Sequence, residues 1–231
     1  IKTPVEVMKI LLNVSDHCFM LESVSDSENW GRYTFLGFAP KLEITCSDGL
    51  MKINGSEFCT DNPSEYIRKI LSEYKSPTVK TLPSFTGGLV GYFSYDYLKY
   101  SEPSLRLDAK DSEGFKDVDL MLFDKVIAFD NFRQKIILIV NISLDDIENE
   151  YKRAEIQLKQ LKELILTGKP KENLSGKMTT DIKPMFSREE YCKMVEKAKC
   201  HIFEGDIFQI VLSNRLEAGF EGSLFNTYRI L

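Results

Sequence analysis

The chain has 231 residues, of which 43% are hydrophobic and 28% charged, and its net charge is −5. This is the composition of an ordinary globular protein with enough length for one large domain or two small ones, which excludes disordered and fibrous classes. Lys and Arg are spread without a basic block, so nucleic acid is not an expected partner; no apolar run reaches the roughly 20 residues of a bilayer span, and no signal-peptide order opens the chain. The reading is a cytoplasmic protein with no membrane partner.

From residue 17 to about 58 the sequence runs in short β-rich segments: CFMLES, RYTFLGF, KLEITC, then MKI and EFC on either side of Asn54-Gly55. Asn-Gly between alternating apolar runs signals a tight hairpin, and the whole stretch reads as an antiparallel meander. A helix follows, with Asp61 or Asn62 as its cap and Pro63 at the first helical position. Its apolar face would be Tyr66, Ile67, Ile70, Leu71 and Tyr74. Residues 86–93 (TGGLVGYF) read as a buried strand whose glycines allow a crowded strand crossing, since no GxGxxG or Walker spacing supports a phosphate loop. DLMLFDKVIAFD and QKIILIVNI, joined by 131–133, read as one long hairpin buried on both faces.

Ile147, Tyr151, Ala154, Leu158, Leu161 and Ile165 recur at steps of four and three, the stripe of a helix that starts near Leu144. Residues 167–185 turn to Gly, Lys, Asn, Ser, Thr and Pro, a mobile surface link and the main boundary, between domains at 1–166 and 186–231. After it, Ser187 and Glu190 form a capping box, Tyr191, Val195, Ala198 and Ile202 continue an apolar stripe, and Gly205 stops the helix. DIFQIVLSNRL then reads as a strand, with Phe208, Ile210 and Leu212 on one face and Ile207, Gln209, Val211 and Ser213 on the other. The chain ends inside a helical pattern on Ile230 and Leu231, and the expectation is that it is cut there. The fold class is α+β: antiparallel-sheet-rich, two-layered, with flanking helices, and incomplete at the C-terminus.

The five cysteines, Cys18, Cys46, Cys59, Cys192 and Cys200, are an odd number with no CxxC pair, and the chain has only two histidines. Buried reduced thiols are expected, without a disulfide framework or zinc site. His17 and His201 read as strand-end and helix-surface residues.

Four segments carry a resemblance: MLESVSDSENWGRYTFLGFAP, PSFTGGLVGYFSYD, DLMLFDKVIAFDN and SREEYCKMVEKAKCHIFEGDIFQIVLSNRLE. In this order they resemble the large subunits of anthranilate synthase, members of the chorismate-utilising enzymes, with GDIFQIVLSNR the most specific segment. The resemblance implies the N-terminal domain of such a subunit over 1–166 and the start of its chorismate-binding catalytic domain over 186–231. It implies a lyase of tryptophan biosynthesis that converts chorismate and ammonia to anthranilate and pyruvate. It also implies Mg2+, with ligands expected beyond the end of this chain, a glutamine amidotransferase partner, and feedback inhibition by tryptophan. No metal ligand is assigned within the chain, and the fragment alone is expected to be inactive.

Two positions are carried over. Leu21, Glu22 and Ser23 match the Leu-Glu-Ser triplet that forms one wall of the regulatory tryptophan site in similar proteins; without the resemblance they would only end a strand. Gln209 stands where water-using relatives carry a Lys base, and as a neutral side chain it favours amination by ammonia over attack by water. Its plain alternative is a polar residue on an open strand face. Arg32 and Lys41 are the cations nearest the triplet in sequence, and neither is assigned to a ligand carboxylate. Two other readings stay open: the large subunit of aminodeoxychorismate synthase, and a non-catalytic amino-acid-binding or docking module.

Overall fold

The computed structural model describes residues 2–23, 31–105, 107, 111, 113–172 and 175–231. They form two compact units, Ile1–Lys171 and Glu172–Leu231. The first opens with α1 (Pro4–Leu11), which starts at a reciprocal cap between Thr3 and Glu6 and buries Val7, Ile10 and Leu11. Strands β1 (Cys18–Leu21) and β2 (Tyr33–Phe38) pair antiparallel. The chain then leaves this sheet, and β3 (Leu42–Ser47), β4 (Leu50–Ile53) and β5 (Ser56–Cys59) form a meander in a second one. Asn54 and Gly55 both take positive φ, 49° and 87°, as the tight turn between β4 and β5 requires. The expected single meander is thus split between two sheets, with the break after Phe38.

Helix α2 (Pro63–Glu73) lies on the second sheet, where Ile67 and Ile70 join Ile44, Cys46, Met51, Val118 and Leu120 in one core. The side chain of Asn62 does not cap it; its Oδ1 accepts from the Ser64 hydroxyl at 2.8 Å. Strand β6 (Gly88–Phe93) is an edge strand against β7 (Val118–Phe123), and the second sheet has the order β5-β4-β3-β7-β6. At Gly91 a Cβ would stand 1.9 Å from the Asp119 carbonyl oxygen, so the close approach expected there is present, but on an edge strand exposed at Gly91, Tyr92 and Phe93 and not on the buried strand expected.

β7 and β8 (Lys125–Asp130) follow each other with only Asp124 between them, yet lie in different sheets. The apolar run read as one long strand therefore bends at Asp124, whose carbonyl accepts from the Asn141 amide and side chain at 2.8 and 3.0 Å. One strand that serves two sheets buries both of its faces, which is why the sequence there is almost continuously apolar. β9 (Lys135–Val140) completes the first sheet in the order β1-β2-β8-β9. The sheets meet where Phe19 stands edge-on to Phe123 at 4.7 Å. Helix α3 (Ile147–Thr167) covers β9 and touches α1, with Ala154, Leu161 and Ile165 buried while Ile147 and Tyr151 stay exposed.

The second unit contains β10 (Gly176–Met178), β11 (Lys183–Pro184), α4 (Arg188–Glu204), β12 (Leu216–Glu217), β13 (Phe220–Gly222) and α5 (Phe225–Ile230). The stretch expected to be a mobile link is partly ordered by ladders, β10 with β13 and β11 with β12. Helix α4 begins at the Ser187–Glu190 box and ends at left-handed Gly205, as its sequence predicts. The predicted strand after it is absent: only Leu216 and Glu217 are paired, and 206–215 carry no ladder. A strand needs a neighbour for its amides and carbonyls, and among the described residues the backbone pairing beside this segment reaches only its last residue, where the Met185 amide donates to the Arg215 carbonyl at 2.8 Å. Among the described residues, no helix is long and apolar enough to cross a membrane.

Candidate functional site

Leu21 is the last residue of β1 and pairs with Phe35, whereas β2 runs two residues further, with Tyr33 and Thr34 opposite Asp130 and Phe129 of β8. β1 therefore stops short of the end of its neighbour, and Glu22 and Ser23 leave the sheet at that step, both exposed. Directly opposed residues share a face and the side chains alternate, so Leu21, Tyr33, Phe35, Ala128 and Asp130 project from the same side. The 24–30 part of the segment that carries the resemblance lies outside the described residues.

The step is bounded by a charge pair that the sequence reading left unassigned. Arg32 donates from Nε to Asp130 Oδ1 at 3.1 Å and from Nη2 to Oδ2 at 2.6 Å. Asp130 is 3% exposed and also accepts from the Arg133 amide at 3.0 Å. The guanidinium holds its carboxyl below the usual carboxylate range against the opposing effect of burial, with the Arg133 amide adding to the lowering. The same guanidinium lies 4.9 Å from the Tyr33 ring centre and 5.9 Å from that of Phe132. Asn131 ties the turn after β8 to β2 through its amide, 2.9 Å from the Arg32 carbonyl, and its Nδ2, 3.3 Å from Thr34 Oγ1. A signal for the pair existed: Asp130 ends an apolar strand, and a carboxylate buried there requires a cation. Lys41 points elsewhere, its ammonium 5.1 Å from the Tyr74 ring.

Gln209 lies in the second unit, exposed, between fully solvated Phe208 and half-exposed Ile210. It and the triplet fall in different units. The placement beyond α4 follows from the Gly205 stop, φ 86°, which turns the chain out of the helix.

A second polar cluster escaped the sequence reading. Tyr100 donates to Asp117 Oδ2 at 2.7 Å and accepts from the Gly49 amide at 2.8 Å, while Lys99 bridges Asp117 and Asp48 at 2.9 and 2.7 Å. Burial raises the Asp117 carboxyl, but bonds from Lys99, Tyr100 and the Asp48 amide bring it below its ordinary value. Burial, together with Cys46 and Asp117 as neighbours, pushes the Tyr100 phenol far upward. Asp48, Lys99 and Asp117 border a cavity of about 320 Å³ with Ser94, Asp96 and Phe115 on its wall. Lys99, Tyr100 and Asp117 satisfy one another and together pin the β3–β4 turn to the 3-10 turn Tyr95–Tyr100.

Among the described residues, His201, Glu204 and Asp206 bring potential metal-ligand atoms within 4.8 Å of one another. His201 Nδ1 already sits 2.8 Å from Asp206 Oδ2, near the surface. Magnesium takes hard oxygen ligands in octahedral geometry, so this imidazole-containing group does not fit Mg2+. Three of the five cysteines, Cys59, Cys192 and Cys200, are exposed; only Cys46 is fully buried, against the expectation of buried thiols throughout. Cys59 sits on edge strand β5, and Cys192 and Cys200 lie on the solvated side of α4.

Residues 16–231 match the family of chorismate binding enzymes. Anthranilate synthase component 1 of Acinetobacter calcoaceticus is 34% identical over 99% of this chain and 47% of its own length. The component 1 of Acetivibrio thermocellus is 34% identical over 100% and 49%, and the chloroplastic alpha subunit 2 of Arabidopsis thaliana 33% over 99% and 41%. The crystal structure of anthranilate synthase component I from Streptococcus pneumoniae TIGR4 has the same fold, with a TM-score of 0.73 at 29% identity over 92% of this chain and 46% of that one. The chain spans about half the length of the curated relatives it matches. A family match over nearly the whole sequence, joined to this agreement in fold, means that the chain belongs to the chorismate-binding enzymes and is homologous to anthranilate synthase component I.

Proposed function

We propose that this chain is the N-terminal half of a large subunit of anthranilate synthase, a cytoplasmic lyase of tryptophan biosynthesis. The observation that carries the reading is the match over residues 16–231, together with relatives named for that activity over the full width of the chain. In the reaction, ammonia adds at ring C2, the C4 hydroxyl leaves as water, and loss of the C2 proton with cleavage of the enol ether releases pyruvate. Chorismate and ammonia thus become anthranilate, pyruvate and water. Gln209 is the residue of this chain that the reading assigns to the chemistry: uncharged, it offers no base to water, and ammonia needs none. Mg2+ would be held by residues outside this chain, and the 231-residue chain alone has no lyase activity.

Ammonia would come from a partner glutamine amidotransferase. Cys18, next to His17 in sequence, has its thiol pushed up to about 11 by burial, the reverse of the thiolate that a Cys-His pair for glutamine hydrolysis needs. Tryptophan would bind at Leu21, Glu22 and Ser23, its ammonium received by acceptors at the step beyond β1 and its side chain admitted by the small Ser23. Assay of the full-length protein with chorismate, ammonium and magnesium, products resolved by mass and fluorescence, tests the reading. Anthranilate is expected, with inhibition by tryptophan that Ser23→Phe abolishes. A 4-amino or 2-hydroxy product would refute the assignment, as would turnover above about 1 per second by the 231-residue chain for the inactivity of the fragment.

A further inference from the structure

We propose that the Arg32–Asp130 pair is the positioning element of the amino-acid site at Leu21, Glu22 and Ser23; the inference rests on the tryptophan-site reading of that triplet. The step at the end of β1 has the start of β2 as its floor, where Tyr33 and Thr34 are paired to β8 but have no partner in β1. Where that floor lies depends on how the chain re-enters the sheet at Arg32. Two parallel N–H bonds to a 3% exposed carboxylate fix both the place and the plane of the guanidinium, a geometry a lysine cannot reproduce.

The anchor is itself held. Asp130 belongs to β8, an interior strand paired on both sides, and its Oδ1 also receives the Arg133 amide. The Arg32 carbonyl accepts from the Asn131 amide at 2.9 Å, so the backbone and the side chain of Arg32 are bound to the same turn. Arg32 thereby joins β2 to the turn after β8 at the point where Glu22 and Ser23 leave the sheet. The cation also covers the Tyr33 ring at 4.9 Å, which keeps an aromatic face at this step in one orientation. A site for an α-amino acid needs its acceptors and side-chain wall held within a few tenths of an ångström, and loop residues gain that only from locked neighbours.

The test is calorimetric titration of L-tryptophan into the full-length protein and its variants. Arg32→Met is expected to weaken binding tenfold or more, Asp130→Asn to do the same, and the double variant to lose little beyond either one, since they share one interaction. Arg32→Lys keeps the charge beside Asp130 and should recover part of the affinity, which also guards against a fold lost to an unpaired buried carboxylate. Gln134→Met, which breaks the neighbouring side-chain bond to the Asn131 carbonyl but leaves the fork and the floor intact, should bind as the parent does. Parental affinity in Arg32→Met, or an equal loss in Gln134→Met, overturns the positioning role. If the parent does not bind tryptophan, or Ser23→Phe binds as tightly as the parent, the reading of the triplet fails and the proposal falls with it. Loss in Ser23→Phe beside parental binding in Arg32→Met sinks the positioning role alone.

Discussion

Gly91→Ala should destabilise the first unit strongly, and the structure says by how much. Gly91 of β6 has φ 154°, opposite Leu120 of β7, and an added Cβ would stand 1.9 Å from the Asp119 oxygen and 2.9 Å from both the Asp119 carbonyl carbon and Leu120 Cα. All three are backbone atoms of a strand paired on both edges, so no side chain can swing aside. Restoring ordinary contact means opening the ladder by about 1.5 Å, the difference between 1.9 and 3.4 Å, at an overpacking cost of about 1–3 kcal/mol. The unfavourable φ adds about 1 kcal/mol. A total near 3 kcal/mol corresponds to a fall of about 10 °C in the unfolding midpoint for a chain of this size. Gly55→Ala is the control: its φ of 87° carries similar strain, but nothing lies within 4 Å of the added carbon, so about 1 kcal/mol is expected. Thermal unfolding followed by circular dichroism compares them. Midpoints shifted equally by the two substitutions would show that the crossing yields and that the argument from backbone contact is wrong.

Asp130→Asn should cost about 3 kcal/mol at neutral pH by removing the buried charge that the Arg32 fork binds. Because the folded carboxyl lies below its unfolded value, that stability is present above about pH 4 and vanishes as pH falls through the folded value; urea titrations at pH 7 and pH 2.5 should show the gap between parent and variant closing, and an unchanged gap contradicts the pairing. Lys99→Met should destabilise more than Tyr100→Phe, because it strands the 4% exposed Asp117 without its cation, and denaturant midpoints in the reverse order would refute that ranking. With a thiol-reactive dye at pH 8, Cys59, Cys192 and Cys200 should label fast, while Cys18, raised to about 11 by burial, and buried Cys46 should label only on unfolding; peptide mapping reads this directly. In the full-length protein Gln209→Lys should depress amination and admit traces of a 2-hydroxylated product, and anthranilate formation at the parental rate would make Gln209 a bystander.

Local chemistry made the helices and turns legible. Ser187 with Glu190, Gly205, Pro63 and the Asn54-Gly55 turn each act through atoms a few residues apart, so the sequence contains both partners of the interaction. Sheet membership was not legible in the same way. Nothing in DLMLFDKVIAFD tells one strand from two, because the bend at Asp124 is fixed by Asn141, 17 residues on, and by the placing of two sheets. The failure at 206–215 has the same origin: alternation states that a segment can be a strand, but a strand exists only where another lies beside it.

The candidate site follows that division. Leu21, Glu22 and Ser23 read in isolation as the end of a strand; Leu21 is the last residue of β1, Glu22 and Ser23 lie just beyond it, and only the resemblance gives them a ligand. What the structure adds is the reason a ligand could be held there: β1 ends before β2 does, and the open end is fixed by a pair 98 residues apart in sequence. A carboxylate at the end of KVIAFD demanded a cation on burial, and the chain offers several; choosing Arg32 required knowing that β2 and β8 are neighbours in antiparallel register. A buried ion pair contributes little net stability compared with apolar residues of the same shape, since desolvation offsets most of the attraction. What a two-bond fork to a fixed carboxylate does supply is orientation, at the step where two exposed residues leave the first sheet.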